Sequence, residues 1–467
     1  MVILDNSIIF TGLSRIEAAM QFSPTGLTWV QDAYTLVFGG LLLLGARAGD
    51  IVGRRRMFTL GLVLFGAASF LVGAAQSSGW LIAARAFQGV GAAILAPSSL
   101  ALLTASFADG RERARAVAAY SAVAGIGASL GLVVGGVLAD WVSWRAGFFL
   151  NVPIGIVMLL AARRYIATES VGNGGRFDLV GALCATLGMS ALVFGVIDSA
   201  EAGWSAPTTI GAFVLSAALL AGLVITEARA EQPIMPLRLF ASRRRSGAYI
   251  VRMLYLGAMI GFFYFTTQYL QGVLGFTPLQ AGLAFLPMSA VNFAVALLVT
   301  AVVRRLGSTP VLAAGVAATL VGMAWLSRVG PDSSYPTAVA LPMVLIGIGQ
   351  GLAFAPMTSA GLAGTDGRDA GAASGLVNTF HQLGSALGLG ILVAVGVAHT
   401  PADTSATAAL VERVDTALMG AAVMLAVALV LVVTLIAAQR PSIGSWRPDA
   451  RGIAEPPATG AVVGARA

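Results

Sequence analysis

Ionisable side chains inside apolar segments are the residues of this sequence best placed to do chemistry. Asp5, Asp32, Arg85 and His381 each fall within a long apolar run. A charge at the centre of a bilayer costs about 2.5–3.5 kcal/mol on insertion scales, so it persists only for a reason. Carboxylates there can take up and release protons, a neighbouring arginine can hold one ionised until its surroundings change, and imidazole exchanges protons near neutrality. Asp5 lies about 15 residues, hence about 22 Å, from the far end of its run, which puts it near mid-membrane. Asp32 and Arg85 each lie about one turn inside their runs from that same side, so an Asp32–Arg85 pair is geometrically allowed. Such a pair serves either as a structural tie fixing helix register or as part of a site where Asp32, Asp5 or both exchange a proton for a cationic substrate. Gln268, Asn292, Gln350 and Asn378 are polar groups that line a cavity or join helices by hydrogen bonds. Arg252, about two turns from the start of its run, is expected to snorkel to the interface. The aromatic group Phe262, Phe263, Tyr264, Phe265 and Tyr269 is either packing or a face for organic cations.

The elements that must position these groups are membrane helices. The 467 residues are 57% hydrophobic and 10% charged, with a mean hydropathy of +0.86, whereas soluble domains carry about 25% charged residues. Apolar runs of about 20 residues, each able to span the hydrocarbon layer, recur along the whole chain. They are read as 1–20, 28–45, 57–76, 80–104, 114–139, 146–165, 178–198, 207–227, 247–271, 279–302, 309–328, 336–358, 371–398 and 415–438, fourteen in all. No intervening stretch is long enough for a soluble catalytic module, so the protein is read as no enzyme. All 28 basic residues are arginine, which excludes a P-loop lysine and hence an ATPase of that type. One cysteine, Cys184, permits neither an intramolecular disulfide nor a cysteine metal cluster, and no cofactor or metal is expected. The net charge of +7 is read through the positive-inside rule and not as a nucleic-acid signature. Arg54, Arg55, Arg56, Arg163, Arg164, Arg243, Arg244, Arg245, Arg304 and Arg305 fall on one side, Arg15, Arg145, Arg328 and Arg413 on the other. This bias places both termini in the cytoplasm and the chain, as a multi-pass protein, in the inner (plasma) membrane. Only four residues precede Asp5, so the first helix is expected to be truncated, with the natural start further upstream.

Three landmarks recur in order. DIVGRRRMF around Gly53 is echoed by RRLGSTPVL around Gly307, QGVGAAILAPSS from Gln88 by QGLAFAPMTS from Gln350, and GASLGL from Gly127 by GSALGL from Gly384, at offsets of 254, 262 and 257 residues. An internal repeat of this kind predicts two related bundles with the substrate between them at the midplane. At 50–56, Gly53 permits a tight reversal, Arg54, Arg55 and Arg56 stay solvated, and Asp50 can pair with another helix or dock on its terminus. Gly127, Gly131, Gly135 and Gly136 give one helix a small-residue face for close approach.

With these motifs the sequence resembles the fourteen-helix drug:proton antiporters of the major facilitator superfamily, over nearly its whole length. Leu4 to Ser14 is similar to the family's L-D-x-T-I-V-N-V-A-L-P. Asp50, Gly53, Arg54, Arg55 and Arg56 match G-x-L-x-D-x-x-G-R-R-R, with Ala46 in place of the first glycine, and Arg85 to Ala93 match R-x-x-Q-G-x-G-A-A throughout. The glycines at 127, 131, 135 and 136 match G-x-x-x-G-P-x-x-G-G except that Leu132 stands where the family has proline. Trp144, Arg145, Phe148, Phe149, Asn151, Pro153 and Gly155 match W-R-x-x-F-F-x-N-V-P-I-G.

The resemblance implies an all-α polytopic membrane protein with the major facilitator fold, two six-helix bundles plus an extra two-helix linker hairpin. The first bundle would be 1–170, the hairpin and cytoplasmic linker 171–246, the second bundle 247–440, and a disordered cytoplasmic tail 441–467. It implies that the Gly53 loop is a conformational latch and that the glycine face favours antiport. The function implied is proton-coupled export of lipophilic, cationic drugs by a monomer whose partners are protons, a small-molecule substrate and the bilayer. Export of one metabolite or self-made antibiotic is the alternative, and a membrane sensor or enzyme the third reading.

Overall fold

The computed structural model describes residues 1–107, 111–166, 178–230, 233, 235–365, 369–399 and 405–437. Within those helices the side chains of Asp50, 104, 370 and several positions from 111 to 126 lie outside the description. The linker boundary near 171 and the tail 441–467 lie outside it as well.

The described residues fold into helices. In chain order these are α1 (Val2–Met20), α2 (Trp29–Val52), α3 (Arg54–Gly73), α4 (Ser78–Ser106), α5 (Arg111–Trp141), α6 (Trp144–Phe149), α7 (Asn151–Tyr165), α8 (Leu179–Glu201) and α9 (Pro207–Arg229). They continue as α10 (Arg243–Gly272), α11 (Pro278–Ala284), α12 (Leu286–Leu306), α13 (Ser308–Leu326), α14 (Leu341–Gly361), α15 (Ala370–Ala398) and α16 (Ala406–Leu431). Among the described residues, twelve stretches are long and apolar enough to cross a membrane, with α6–α7 and α11–α12 each counted as one; α1 and α5 lie outside that set. Two expected spans are thus broken. The span read as 146–165 bends at Leu150, ahead of Pro153, and that read as 279–302 bends at Phe285, ahead of Pro287, because proline removes a donor and crowds the preceding turn. The last begins at Ala406, earlier than the expected 415, with Ser405 accepting a hydrogen bond from the Ala408 amide as its cap.

The sequence repeat has a three-dimensional counterpart. Gly53 alone separates α2 from α3 with φ 107°, and Gly307 alone separates α12 from α13 with φ 86°. Both reversals need a positive φ that side-chain-bearing residues rarely adopt. Gly89 of α4 abuts the Tyr34 carbonyl of α2, as Gly351 of α14 abuts the Asn292 carbonyl of α12. Gly131 of α5 packs on Leu4 and Ser7 of α1, as Gly388 of α15 packs backbone to backbone on Gly257 of α10. Helices α8 and α9 pair with each other, and α8 also lies along α2 and α15, with Gly40 against Thr186 and Gly390 against Val193 and Ile197.

The two halves meet along a seam. Gly39 of α2 faces Gln382 and accepts a bond from Thr379 at 3.3 Å, while Leu43 abuts Gly375. Phe10 of α1 stacks on Phe263 of α10 with centroids 5.6 Å apart, and Gln271 bonds the Thr11 carbonyl and the Ser14 hydroxyl. The aromatic group on α10 is interior packing, with Phe262, Tyr264, Phe265 and Tyr269 all buried.

At the α5–α11 part of the seam a Cβ on Gly136 would sit 2.6 Å from the Pro278 carbonyl oxygen, and one on Gly282 would sit 2.4 Å from that of Leu132. Backbone atoms cannot rotate away, so Gly136→Ala is expected to cost about 1–3 kcal/mol. Gly127 has open space around it, and Gly127→Ala should stay within about 0.5 kcal/mol. Thermal unfolding of the two variants in detergent measures the contrast.

Candidate functional site

Helices α1, α3, α4 and α7 bring a polar cluster into the interior of the first half. Arg85 donates from Nη1 to Asp5 Oδ2 at 2.9 Å and to Gln88 Oε1 at 2.6 Å. Gln88 Nε2 donates to Asp5 Oδ1 at 3.0 Å and to the Ser69 hydroxyl at 2.8 Å, and Asn151 Nδ2 donates to Asp5 Oδ1 at 2.6 Å. From α2, the Val30 carbonyl accepts from Arg85 Nε at 2.8 Å, and the Tyr34 ring lies 4.3 Å beneath the guanidinium. Asp5, Arg85, Gln88, Ser69 and Asn151 have no solvent exposure. A dry ion pair of this kind is tolerable because every oxygen of Asp5 is hydrogen-bonded and opposed by a cation. The cluster ties five helices, α1, α2, α3, α4 and α7, into one register.

The expected Asp32–Arg85 pair does not form; Arg85 takes Asp5 instead. Depth along the helix is right, but rotation about it is not. Val30 and Tyr34 point at Arg85, and Asp32 is two residues from each, roughly 200° around the axis. Asp32 instead begins the stripe Asp32, Leu36, Gly39 and Leu43, spaced i, i+4, i+7 and i+11, whose last three members touch α15 across the seam. Asp32 is fully buried, and neither carboxyl oxygen has a hydrogen-bond partner among the described residues. Unpaired and desolvated, an ionised carboxylate is costly there, while the protonated acid is not.

The second half holds a cationic cluster. Arg252 of α10 is buried and does not snorkel as expected, because partners from two other helices meet it in the interior. Its Nη1 donates to Thr358 Oγ1 at 2.9 Å, its Nη2 faces His381 Nδ1 at 3.2 Å, and its guanidinium lies 4.7 Å over the Phe354 ring. A guanidinium only donates, so His381 Nδ1 accepts and a neutral His381 carries its proton on Nε2. Gln350, Phe354 and Thr358 follow one another at i, i+4 and i+8 on α14, and exposed Asn378 lies one turn from His381 on α15. Asn292 and Gln268 are half-buried elsewhere.

At the Gly53 reversal Arg55 donates to the Arg163 carbonyl of α7 at 2.9 Å, Arg54 is half-buried and Arg56 exposed. The Asp50 side chain lies outside the described residues. Of the glycine face, Gly131 and Gly135 meet α1 and Gly136 meets α11, whereas Gly127 meets no described residue within 4 Å.

Gln88 and Asn151 were missed as partners of Asp5, although both stand inside motifs already recognised around Arg85 and Trp144. Their signal was co-occurrence of uncharged amides with an intramembrane ion pair. Arg252 reads from the sequence as interfacial because one helix taken alone gives no sign of what its neighbours offer.

The Major Facilitator Superfamily profile matches residues 1–389. The cephamycin export protein CmcT of Amycolatopsis lactamdurans is 41% identical over 86% of this chain and 84% of its own length. The puromycin resistance protein of Streptomyces alboniger is 37% identical over 86% and 80%, and the multidrug resistance protein Stp of Mycobacterium tuberculosis 33% identical over 85% and 73%. Among solved structures, the nucleoside transporter NupG superposes with a TM-score of 0.65 at 12% identity, covering 92% of this chain and 96% of that one. A bacterial homologue of the lysosomal transporter Spinster gives 0.65 at 14% identity, covering 94% and 96%.

Proposed function

This chain belongs to the Major Facilitator Superfamily, and from that premise we propose that it is a fourteen-helix, proton-coupled exporter of small organic molecules working by alternating access. Export is supported by relatives named for cephamycin export, puromycin resistance and multidrug resistance. The observation that carries the coupling is Asp32, a buried carboxyl without a partner on the stripe that faces the other half. Rocking the halves apart would wet this stripe, and closing them would dry it. A proton bound on one side of the membrane and released on the other follows from that alternation. Asp5, already opposed by Arg85, serves as the fixed tie of the first half and not as the carrier.

In this reading α1–α7 and α10–α16 are the two six-helix bundles, with α8 and α9 as the added hairpin, and the divisions 1–170, 171–246 and 247–440 are proposed on that basis, the last starting with α10 at Arg243. The arginine-rich Gly53 and Gly307 ends face the cytoplasm, the protein sits as a monomer in the plasma membrane, and the Gly53 loop acts as the latch. The expectation of a cationic drug rested on acidic groups in the first half, and with Asp5 neutralised only Asp32 supports it. A dedicated exporter of one antibiotic gains from two relatives named for single compounds.

Cells lacking their own efflux pumps, expressing this protein and loaded in turn with puromycin, ethidium and β-lactams, test the reading. Accumulation of at least one compound is expected to fall relative to an empty vector and to recover when a protonophore collapses the gradient. A fall that survives the protonophore would contradict proton coupling; unchanged accumulation of every compound would contradict drug export.

A further inference from the structure

Arg252 is a buried cation whose charge no carboxylate among the described residues balances. It is 3% exposed, its Nε has no hydrogen-bond partner, and its two side-chain bonds go to neutral groups, Thr358 and His381. The ion pairs found among the described residues are Arg15 with Asp140, Arg85 with Asp5 and Arg238 with Asp369, so Arg252 enters none. The contrast with Arg85 is direct. That arginine is equally buried and its Nη2 is likewise unpaired, yet a carboxylate opposes its charge and a glutamine and a backbone carbonyl take two more of its donors. Of the five guanidinium N–H groups of Arg252, two are accounted for, and a desolvated charge in that state calls for an anion.

The surroundings say where the anion comes from. Phe354, stacked on the guanidinium, is 39% exposed, and Asn378, three residues before His381, is exposed as well. Thr379 and Gln382, adjacent to these positions on α15, touch Gly39 of the first half. The cluster therefore borders the seam between the halves and is not enclosed within the second bundle. Gln350 lies one turn from Phe354 on the same face, half-buried, and offers a further amide. One cation with free donors, a neutral imidazole, an amide and an exposed aromatic face together fit an aromatic or heterocyclic compound bearing a carboxylate.

We propose that Arg252, with His381, Thr358, Gln350 and Phe354, forms a binding site for the carboxylate of an amphipathic organic acid, the substrate class carried between the halves. This inference rests on the export reading for the word substrate, but not for the site itself. Arg252 holds the carboxylate oxygens through its unused donors, Thr358 and His381 fix the guanidinium, and Phe354 covers the apolar part of the ligand.

Purified protein in detergent is titrated with benzylpenicillin, 2-naphthoate, the methyl ester of each, and ethidium, and binding is read by calorimetry. An acid is expected to bind about ten- to a hundred-fold more tightly than its ester, the range of one charge-assisted bidentate contact. Arg252→Gln should erase that difference by weakening the acid alone. Arg252→Lys, which keeps the charge without the fork, should retain part of it, and Thr358→Val serves as a second variant should Arg252→Gln fail to fold. Equal affinity for acid and ester, tighter binding of ethidium than of either acid, or no acid binding at all overturns the proposal. Its failure is distinguishable from failure of the export reading. Pump-deficient cells that extrude ethidium while the acids do not bind keep the exporter and lose the site. Acids that bind through Arg252 while no compound is extruded keep the site and lose the exporter.

Discussion

Replacing Arg85 by alanine is expected to destabilise the folded protein by about 3–5 kcal/mol, the cost of stranding one member of a buried ion pair. Asp5 would keep Gln88 and Asn151 as neutral donors, but nothing would balance its charge in a site with no solvent. The Val30 carbonyl would lose its donor and Tyr34 the cation above its ring. Lysine is expected to fail nearly as badly, because Arg85 serves three acceptors in different directions from Nε and Nη1 and an ammonium on a flexible stem cannot reproduce that fork. The double change Asp5→Asn with Arg85→Gln removes both charges and should recover part of the loss. Unfolding of the single and double variants in detergent gives the coupling directly, expected at roughly 1–3 kcal/mol. Strict additivity would mean that the pair is not the tie.

Asp32→Asn is expected to do the reverse: leave stability at or above that of the wild type and abolish gradient-driven transport. The carboxyl has no hydrogen bond or ion pair to lose, and an amide of the same shape removes the option of an unpaired buried charge. Substrate exchange across liposomes without a pH gradient should continue, because the halves can still rock around a neutral Asn. Asp5→Asn differs on both counts. It gives up an ion pair to Arg85 and weakens bonds from Gln88 and Asn151, so it should lower stability first and lose transport only as a consequence. Measuring melting and counterflow side by side separates a carrier from a tie.

The two aspartates also mark what a linear sequence conveys. Relative level was legible: Asp32 lies between Val30 and Tyr34, the two residues of α2 that meet Arg85. Rotation was not, since Asp32 and Tyr34 differ by two residues and point to opposite sides of α2. Choosing between them needs the direction in which α4 and α15 pack, and that is set by helices far away in the chain. The repeat was legible because its landmarks are backbone requirements, Gly53 and Gly307 at one-residue reversals and Gly131 and Gly388 at close crossings. Requirements of that kind leave glycine no substitute. The bends at Leu150 and Phe285 were not read from Pro153 and Pro287, because whether a proline breaks or only curves a membrane helix depends on neighbours that refill the lost bond. Arg252 followed the same logic. Read on α10 alone it belongs at an interface, and only Thr358 and His381, 106 and 129 residues further on, keep it inside.

Proton release on substrate addition tests the central claim most directly. Everted vesicles containing the protein are acidified inside, a pH-sensitive dye reports the gradient, and a compound that the cells are found to extrude is then added. In wild-type vesicles the gradient is expected to collapse in proportion to substrate, while vesicles with equal amounts of folded Asp32→Asn protein hold their gradient. Equal collapse in both would contradict Asp32 as the proton carrier, and no collapse in wild-type vesicles during measurable uptake of the compound would contradict proton coupling itself.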